Sequence, residues 1–119
     1  MTSSSSNGPL RGLRVLDLTD EMGVYATKIM ADLGAEVIRV EDPAGDRVRR
    51  LPPFFQGEPG LERSLFHWWM NSSKKSLAVD VETPEGAKII RSLAENAHIL
   101  VQSGTLARLS RTGLDFASL

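Results

Sequence analysis

Five cationic side chains near the middle of the chain are spaced so that they could bind a phosphorylated ligand. Arg47, Arg49 and Arg50 fall within four residues, and Lys74 is followed directly by Lys75. Guanidinium and ammonium groups that converge can hold a phosphorylated ligand through charge-assisted hydrogen bonds. The alternative is a solvated basic surface, because most lysines and arginines of folded proteins lie exposed. The sequence leaves both interpretations open.

Carboxylates and histidines offer a second set of candidates. Asp17 and Asp80 lie within or at the ends of apolar segments, where a carboxylate is costly unless it is hydrogen-bonded, so either could be functional. His67 and His98 are too far apart to indicate a metal pair, so each is interpreted as a surface or hydrogen-bonded histidine. The chain contains no cysteine, which excludes disulfides, thiolate nucleophiles and cysteine metal sites.

An alternation of short apolar segments and helical periodicity predicts the elements that position these side chains. Strands are predicted at residues 13–18, 36–40, 76–81 and 98–101, and helices at 24–33, at 65–70 and from Thr83 onward, with a loop from residue 102 into residues 105–109. Strands joined by helices imply parallel pairing and right-handed crossovers, so we expect an α/β fold with a Rossmann-like, doubly wound sheet. Residues 47–63 carry several prolines and glycines and are predicted to be irregular.

Two of these helices carry end signals. Thr83 precedes Pro84 and an acid, which predicts an N-cap, a proline in the first turn and a favourable helix dipole. Gly34 follows the first helix, where a left-handed stop is needed, and the polar residues 19–21 could cap its start. The apolar residues of this first helix recur at i, i+4 spacing as Tyr25, Ile29 and Leu33, with Ala26 and Met30 beside them.

Composition and charge limit the class of protein. The chain has 119 residues, of which 41% are hydrophobic and 24% charged, and this fits one globular domain. A formal net charge of -1 provides no overall field that would draw the chain to nucleic acid or anionic lipid. No apolar run approaches the ~20 residues of a membrane span, and residues 1–8 lack the features of a signal peptide. We therefore expect a cytoplasmic domain at residues 9–119 behind a flexible leader at residues 1–8.

The carboxyl ends of the predicted strands are the places to search for a ligand site. Ligands of open parallel sheets gather at that edge, which here comprises residues 19–23, 41–50, 81–83 and 102–104. Only Gly23 is available after the first strand, so a dinucleotide fingerprint is missing, and no GxxxxGK phosphate loop occurs. A nicotinamide or flavin cofactor held in that way is therefore not expected.

Four blocks of sequence resemble, in order and spacing, family III CoA-transferases of the formyl-CoA and carnitine CoA-transferase (CaiB/BaiF) type. They are Pro9–Leu18, Ala31–Glu41, Asn71–Ser76 with Asp80, and Thr83–Gly86. The resemblance runs from about residue 9 to the last residue and corresponds to the start of a family member. The resemblance implies that Asp17 and Asp80 have structural roles.

The resemblance implies the CoA-binding N-terminal part of a Rossmann-like large domain in a longer or assembled enzyme. Family members move CoA between carboxylic acids through an aspartyl mixed anhydride and an aspartyl-CoA thioester, and the corresponding aspartate lies beyond Leu119. We therefore expect an acyl-CoA and a carboxylic acid as partners, no metal or redox cofactor, and no activity from the chain alone. An interlocked homodimer, or a partner subunit that supplies the rest of the fold, is also implied, without nucleic acid or membrane.

Seven positions are implied to contact CoA. These are Met22, Asp42, Arg49, Val79, Glu82, Ser103 and Arg108. The loop that holds Met22 is one residue shorter than the family form, and the loop around Ser103 is shortened as well. Asp42 stands where relatives often have a basic residue, and because a carboxylate would repel a phosphate, the contact passes to Arg49.

Three of these positions lie within or after the third and fourth predicted strands. Val79 corresponds to an apolar contact with the adenine end of CoA, Glu82 stands where some relatives have lysine, and Arg108 aligns with a further contact. Trp68 and Trp69 could also stack on adenine, although adjacent aromatics in an apolar stretch are more often core or interface residues.

Two alternative functions remain open from the sequence. An acyl-CoA racemase of the same family shares this front region and differs in later catalytic residues. A non-catalytic subunit or degenerate paralogue would pair with a complete chain and only shape its CoA site. The departures at positions 22, 42, 82 and 103 favour the second alternative.

Overall fold

Four parallel strands form the sheet at the centre of the fold. The computed structural model describes residues 7–119. The strands are β1 (Arg14–Leu18), β2 (Glu36–Glu41), β3 (Lys75–Ala78) and β4 (Ile99–Gln102). Their order across the sheet is β3-β2-β1-β4, and every neighbouring pair is parallel. The predicted parallel α/β fold is confirmed.

Helices connect the strands and cover the sheet. They are α1 (Val24–Asp32), α2 (Leu65–Met70), α3 (Pro84–Glu95) and α4 (Leu106–Thr112), with two short 3-10 turns at Arg47–Arg50 and Phe55–Gly57. Both turns and α2 lie in the long connection between β2 and β3. None of the helices within residues 7–119 is long and apolar enough to cross a membrane.

The hydrophobic core divides into two clusters, one on each face of the sheet. Neighbouring residues of a strand point to opposite faces, so Val15 and Leu16 of β1 enter different clusters. Val15 packs with Ala31 of α1, whereas Leu16 packs with Ile90 of α3. Leu114, which follows α4, is buried in the second cluster. Helices therefore flank the sheet on both sides.

The start of α3 follows its sequence signal. The Thr83 hydroxyl accepts a hydrogen bond from the Gly86 backbone N–H at 3.0 Å, and Pro84 occupies the first turn. A Cβ on Gly86 would lie 1.8 Å from the carbonyl oxygen of Asp80, so only glycine lets the helix approach this closely. The predicted cap is confirmed, and it holds the chain beside the carboxyl edge of the sheet.

The start of α1 differs from the prediction. Gly23 occupies the N-cap position, and no side chain caps the helix. Asp20 instead accepts a hydrogen bond from the backbone N–H of Met22 at 2.8 Å, which closes a turn before the helix begins. The stop is as predicted, because Gly34 has a φ of 105°, a left-handed value that favours glycine.

Strand β3 ends earlier than the predicted segment 76–81. Val79 still donates a backbone hydrogen bond to the Glu41 carbonyl at 2.9 Å. The Asp80 carbonyl then accepts from the backbone N–H of Thr83 at 3.2 Å, which turns the chain towards α3. The chain therefore leaves the strand after Val79 and turns at residues 80–83, at the carboxyl edge of the sheet.

The predicted leader is described only in its last two residues, because residues 1–6 lie outside the described part of the chain. The carbonyl of Gly8 accepts a hydrogen bond from the backbone N–H of Arg11 at 3.0 Å. The division into a leader and a domain stays a prediction.

The apolar stripe of α1 points away from the sheet. Tyr25, Ile29 and Leu33 are 49%, 41% and 40% exposed. An amphipathic surface helix ordinarily turns such a stripe to the core. Here the buried side of α1 faces the buried carboxylate of Asp17, and the Thr27 hydroxyl donates a hydrogen bond to that carboxylate at 2.7 Å. The buried residues of α1 are accordingly smaller or polar, namely Val24, Thr27, Lys28 and Ala31.

Replacing Ile29 with lysine is expected to change the free energy of unfolding by less than about 1 kcal/mol, because the side chain is already half exposed. The matched change Ala31→Lys, on the buried side of the same helix, is expected to cost at least about 3 kcal/mol, since it places a charge against the sheet. Urea unfolding followed by circular dichroism measures both. Equal losses for the two variants would contradict this orientation of α1.

Candidate functional site

An open cavity of about 590 Å³ lies at the carboxyl edge of the sheet. Its walls come from the chain that follows each strand, namely from parts of residues 18–20, 40–50, 79–82 and 103–108. In the strand order, β2 lies on one side of β1 and β4 lies on the other. Such a reversal of strand order opens a crevice where ligands of parallel α/β proteins bind, and the volume is typical of small-molecule sites.

The cavity brings together five of the seven positions that the family resemblance implies. They are Asp42, Val79, Glu82, Ser103 and Arg108. Val79 supplies a buried apolar wall, whereas the side chains of Asp42, Glu82 and Arg108 are exposed to solvent. These residues meet because parallel pairing places the ends of all four strands at one edge of the sheet.

Met22 and Arg49 are not among the residues that line this cavity. The Met22 side chain is 87% exposed on the loop after β1. Arg49 donates from Nε to Glu41 at 2.6 Å and from Nη1 to the Leu61 carbonyl at 3.0 Å, so its guanidinium ties two segments of the fold together. The phosphate contact expected of Arg49 therefore finds no support in the geometry.

Two arginines that the resemblance does not assign also line the cavity. Arg47 and Arg50 lie three residues apart in a 3-10 turn, and such turns place residues i and i+3 on one side, away from Arg49. Arg47 donates to both carboxylate oxygens of Glu21, at 2.6 and 2.7 Å. Arg50 donates to the Ala44 carbonyl at 2.9 Å. A three-residue period within the basic run is the sequence signal that identifies this pair.

The two lysines of the second basic pair do not form a phosphate clamp. Lys75 pairs with Glu36 at 2.7 Å on the surface. Lys74 has a buried ammonium group, which lies 2.8 Å from Asp17 and 2.7 Å from the Thr27 hydroxyl. Neither lysine lines the cavity. The interpretation as a solvated surface fits Lys75, whereas Lys74 has a structural role that the sequence does not reveal.

Asp17 is the centre of a buried polar network next to the cavity. Its fully buried carboxylate accepts hydrogen bonds, at 2.6 to 3.1 Å, from Thr19, Thr27, Arg39 and Lys74. Burial raises the pKa of Asp17, but the charges of Arg39 and Lys74 outweigh that effect and hold the pKa below its ordinary value. Asp17 is therefore an ionised structural group, as the family resemblance implies.

Arg39 links this network to the wall of the cavity. Its Nη1 donates to Asp17 at 3.1 Å, and its Nε donates to Asp46 at 2.8 Å. The Asp46 carboxylate also accepts from the backbone N–H of Val48 and so caps the 3-10 turn that carries two of the cavity arginines. The negative charges of Asp17 and Asp46 are therefore balanced inside the fold by the positive charges of Arg39 and Lys74.

The cavity wall carries more carboxylates than cations. Three arginines line it together with five acids, which are Asp20, Asp42, Asp46, Asp80 and Glu82. Glu82 accepts from Arg108 Nε at 2.8 Å and from Arg111 Nη1 at 2.5 Å. The hydrogen bonds from Arg111 and Arg108 hold the pKa of Glu82 below its ordinary value. An anionic ligand must therefore compete with Glu21 for Arg47 and with Glu82 for Arg108.

The two tryptophans lie away from the cavity. Trp69 stacks on Tyr25 with ring centroids 5.9 Å apart, and Trp68 contacts Phe55 with centroids 5.6 Å apart. Both tryptophans are about half exposed and neither lines the cavity, so stacking on adenine at this cavity finds no support in the geometry.

Both histidines are hydrogen-bonded within the fold. The Nδ1 atom of His67 lies 2.9 Å from the side-chain amide of Asn71. That of His98 accepts from the backbone N–H of Arg14 at 3.0 Å. Their interpretation as hydrogen-bonded histidines is confirmed.

Comparison with known sequences finds relatives of one family. The family model described as CoA-transferase family III matches residues 10–119. The BbsE subunit of succinyl-CoA:(R)-benzylsuccinate CoA-transferase from Thauera aromatica is 42% identical over 106 residues, which are 89% of this chain and 26% of that protein. The succinyl-CoA:glutarate CoA-transferase of Homo sapiens is 42% identical over 110 residues, 91% of this chain and 24% of that protein.

A solved structure supports the same relation. A CaiB/BaiF family protein from Brucella suis matches with a TM-score of 0.81 at 34% identity, over 94% of this chain and 30% of that chain. The chain spans about a quarter of the length of the two curated relatives. The match therefore concerns one region of much longer proteins.

Replacing Lys74 with methionine is expected to lower the free energy of unfolding by about 3 to 5 kcal/mol, because it leaves the buried charge of Asp17 with a single cationic partner. The matched Lys75→Met variant breaks only the surface pair with Glu36 and is expected to cost less than about 1 kcal/mol. Urea unfolding at neutral pH measures both variants.

The loss caused by Lys74→Met is also expected to shrink in acid. The pKa of Asp17 is depressed in the fold, so the stabilisation is present above its ordinary pKa and is lost as the pH falls through the lowered value. Similar losses for the two lysine variants, or a loss that does not change with pH, would count against the buried ion pair.

Proposed function

Because the chain belongs to CoA-transferase family III, we propose that it is the CoA-binding N-terminal region of an enzyme that transfers CoA between an acyl-CoA and a carboxylic acid. The two curated relatives carry reactions of this kind in their names. The chain corresponds to about a quarter of each relative, so the substrates and the activity of the whole enzyme are part of the proposal. CoA enters as a substrate, and the proposed reaction uses no metal or redox cofactor.

The observation that carries the proposal is the cavity at the carboxyl edge of the sheet. Val79 offers an apolar wall of the kind that a nucleotide base needs, and Arg47, Arg50 and Arg108 offer guanidinium groups for phosphates. The Ser103 hydroxyl accepts from the backbone N–H of Asp20 at 3.3 Å, which holds the loops after β1 and β4 together. The cavity therefore combines the two chemistries that recognise a phosphorylated nucleotide.

The hydrogen bonds of the cavity carboxylates favour a nucleophile for CoA transfer that lies outside this cavity. Within the described residues, each cavity acid is already engaged: Asp20, Asp42 and Asp80 by nearby backbone N–H groups, and Asp46 and Glu82 by arginines. Covalent CoA transfer requires a carboxylate beside the CoA sulfur. We assign this role to an aspartate downstream of Leu119, so the 119-residue chain alone is proposed to bind CoA without transferring it. The complete enzyme would form an interlocked homodimer, or a partner subunit would supply the rest of the fold.

A second candidate is a non-catalytic subunit that shapes the CoA site of a complete chain. The excess of carboxylates over arginines on the cavity wall favours it, since like charges disfavour a bound polyphosphate. The relative from Thauera aromatica is itself named as a subunit. Binding of CoA by the chain alone supports the first proposal, and binding only in the presence of a complete partner chain supports the second. A racemase would be recognised by epimerisation of an acyl-CoA.

Replacing Arg108 with alanine is expected to weaken CoA binding about tenfold or more, because a charge-assisted hydrogen bond to phosphate contributes about 1.5 to 3 kcal/mol. Titration calorimetry measures the affinity. The matched control Arg11→Ala removes an exposed guanidinium before the amino end of β1 and should leave the affinity unchanged. Arg49→Ala should lower stability instead, since it leaves Glu41 without its cationic partner. Equal CoA affinities for wild type and Arg108→Ala would contradict the assignment of this cavity.

A further inference from the structure

Glu82 is held between two arginines at the rim of the cavity. Its Oε2 accepts from Arg108 at 2.8 Å, and its Oε1 accepts from Arg111 at 2.5 Å. Arg108 and Arg111 lie three residues apart on α4, so they share one side of the helix. All three side chains are partly exposed. Two guanidinium groups therefore converge on one carboxylate in a position that solvent reaches.

We propose that Arg108 and Arg111 form a two-arginine phosphate site, that the Glu82 carboxylate occupies it in the free protein, and that a phosphate group of the ligand displaces Glu82. This inference rests on the proposed function, because it names the part of the CoA site that takes a phosphate. It adds Arg111, which does not line the cavity while Glu82 holds it. It also makes Glu82 a competitor of the ligand rather than one of its contacts.

Charge and geometry favour this exchange. A phosphate monoester carries up to two negative charges and three acceptor oxygens, whereas a carboxylate has one charge and two oxygens. The same two guanidinium groups therefore bind a phosphate more strongly than they bind Glu82. The bonds to Glu82 are exposed, and exposed ion pairs contribute little stability, so breaking them costs little.

The backbone at Glu82 is held independently of its side chain. The Asp80 carboxylate accepts from the backbone N–H of Glu82 at 3.0 Å, and Thr83 begins the capped turn of α3. The Glu82 side chain can therefore swing away from the arginines without moving the cavity wall. Its pKa is held below the ordinary value by Arg111 and Arg108, so the carboxylate is ionised, and competes, at neutral pH.

Titration calorimetry of CoA on the 119-residue chain tests the displacement. Glu82→Gln keeps the shape of the side chain and removes its charge, and it is expected to tighten CoA binding about threefold to tenfold. Arg111→Ala is expected to weaken binding, and in this background Glu82→Gln should bring a smaller gain than in the wild type. The matched control Glu85→Gln removes the same charge from the first turn of α3 and should leave the affinity unchanged.

Two further probes identify the phosphate. A gain from Glu82→Gln that is present with CoA and absent with dephospho-CoA assigns the 3′-phosphate to the two-arginine site, and an equal gain with both assigns the diphosphate. Unchanged or weaker CoA binding by a folded Glu82→Gln variant overturns the displacement, because a residue that merely supports the site cannot tighten binding when it is neutralised. A wild-type chain that binds no CoA overturns the proposed function itself.

Discussion

The buried carboxylate of Asp17 is the constraint on which the arrangement of the fold depends. A buried charge is costly unless donors and cations surround it. Asp17 of β1 receives them from three other segments, through Thr27 of α1, Arg39 of β2 and Lys74 before β3. These bonds join positions up to 57 residues apart in sequence. They determine where α1 and the end of the long connection lie against the sheet.

The same network shapes both the outer surface and the cavity. Thr27 and Lys74 occupy the space between α1 and the sheet, so the buried side of α1 is partly polar and its apolar stripe lies outside. At the other end, Arg39 reaches from Asp17 to Asp46, which caps the turn that carries two cavity arginines. Two of the three arginines of the cavity are therefore positioned by a buried charge, Asp17, that does not itself line the cavity.

Local signals in the sequence predict the elements that a few neighbouring residues determine, whereas features that depend on distant partners have no such signal. The cap at Thr83 is contained in a few residues and was predicted, and parallel pairing then brought five of the seven implied positions to one cavity. The i, i+4 period of α1 identified an apolar side, but which side is buried depends on Asp17. Arg49 does not line the cavity because the register of its 3-10 turn places Arg47 and Arg50 there instead. The pairing of Glu82 with Arg111 depends on how α4 packs, and no local pattern indicates it.

The central claim is that CoA binds at the carboxyl edge of the sheet. Backbone amide chemical shifts of the isotope-labelled chain, recorded by nuclear magnetic resonance during a titration with CoA, test it most directly. If CoA binds at this edge, the largest changes fall on residues 79–82 and 103–108, while residues 11–14 and 96–98 at the amino edge stay unchanged. Changes centred on the amino edge, or no change at any residue with excess CoA, would contradict it.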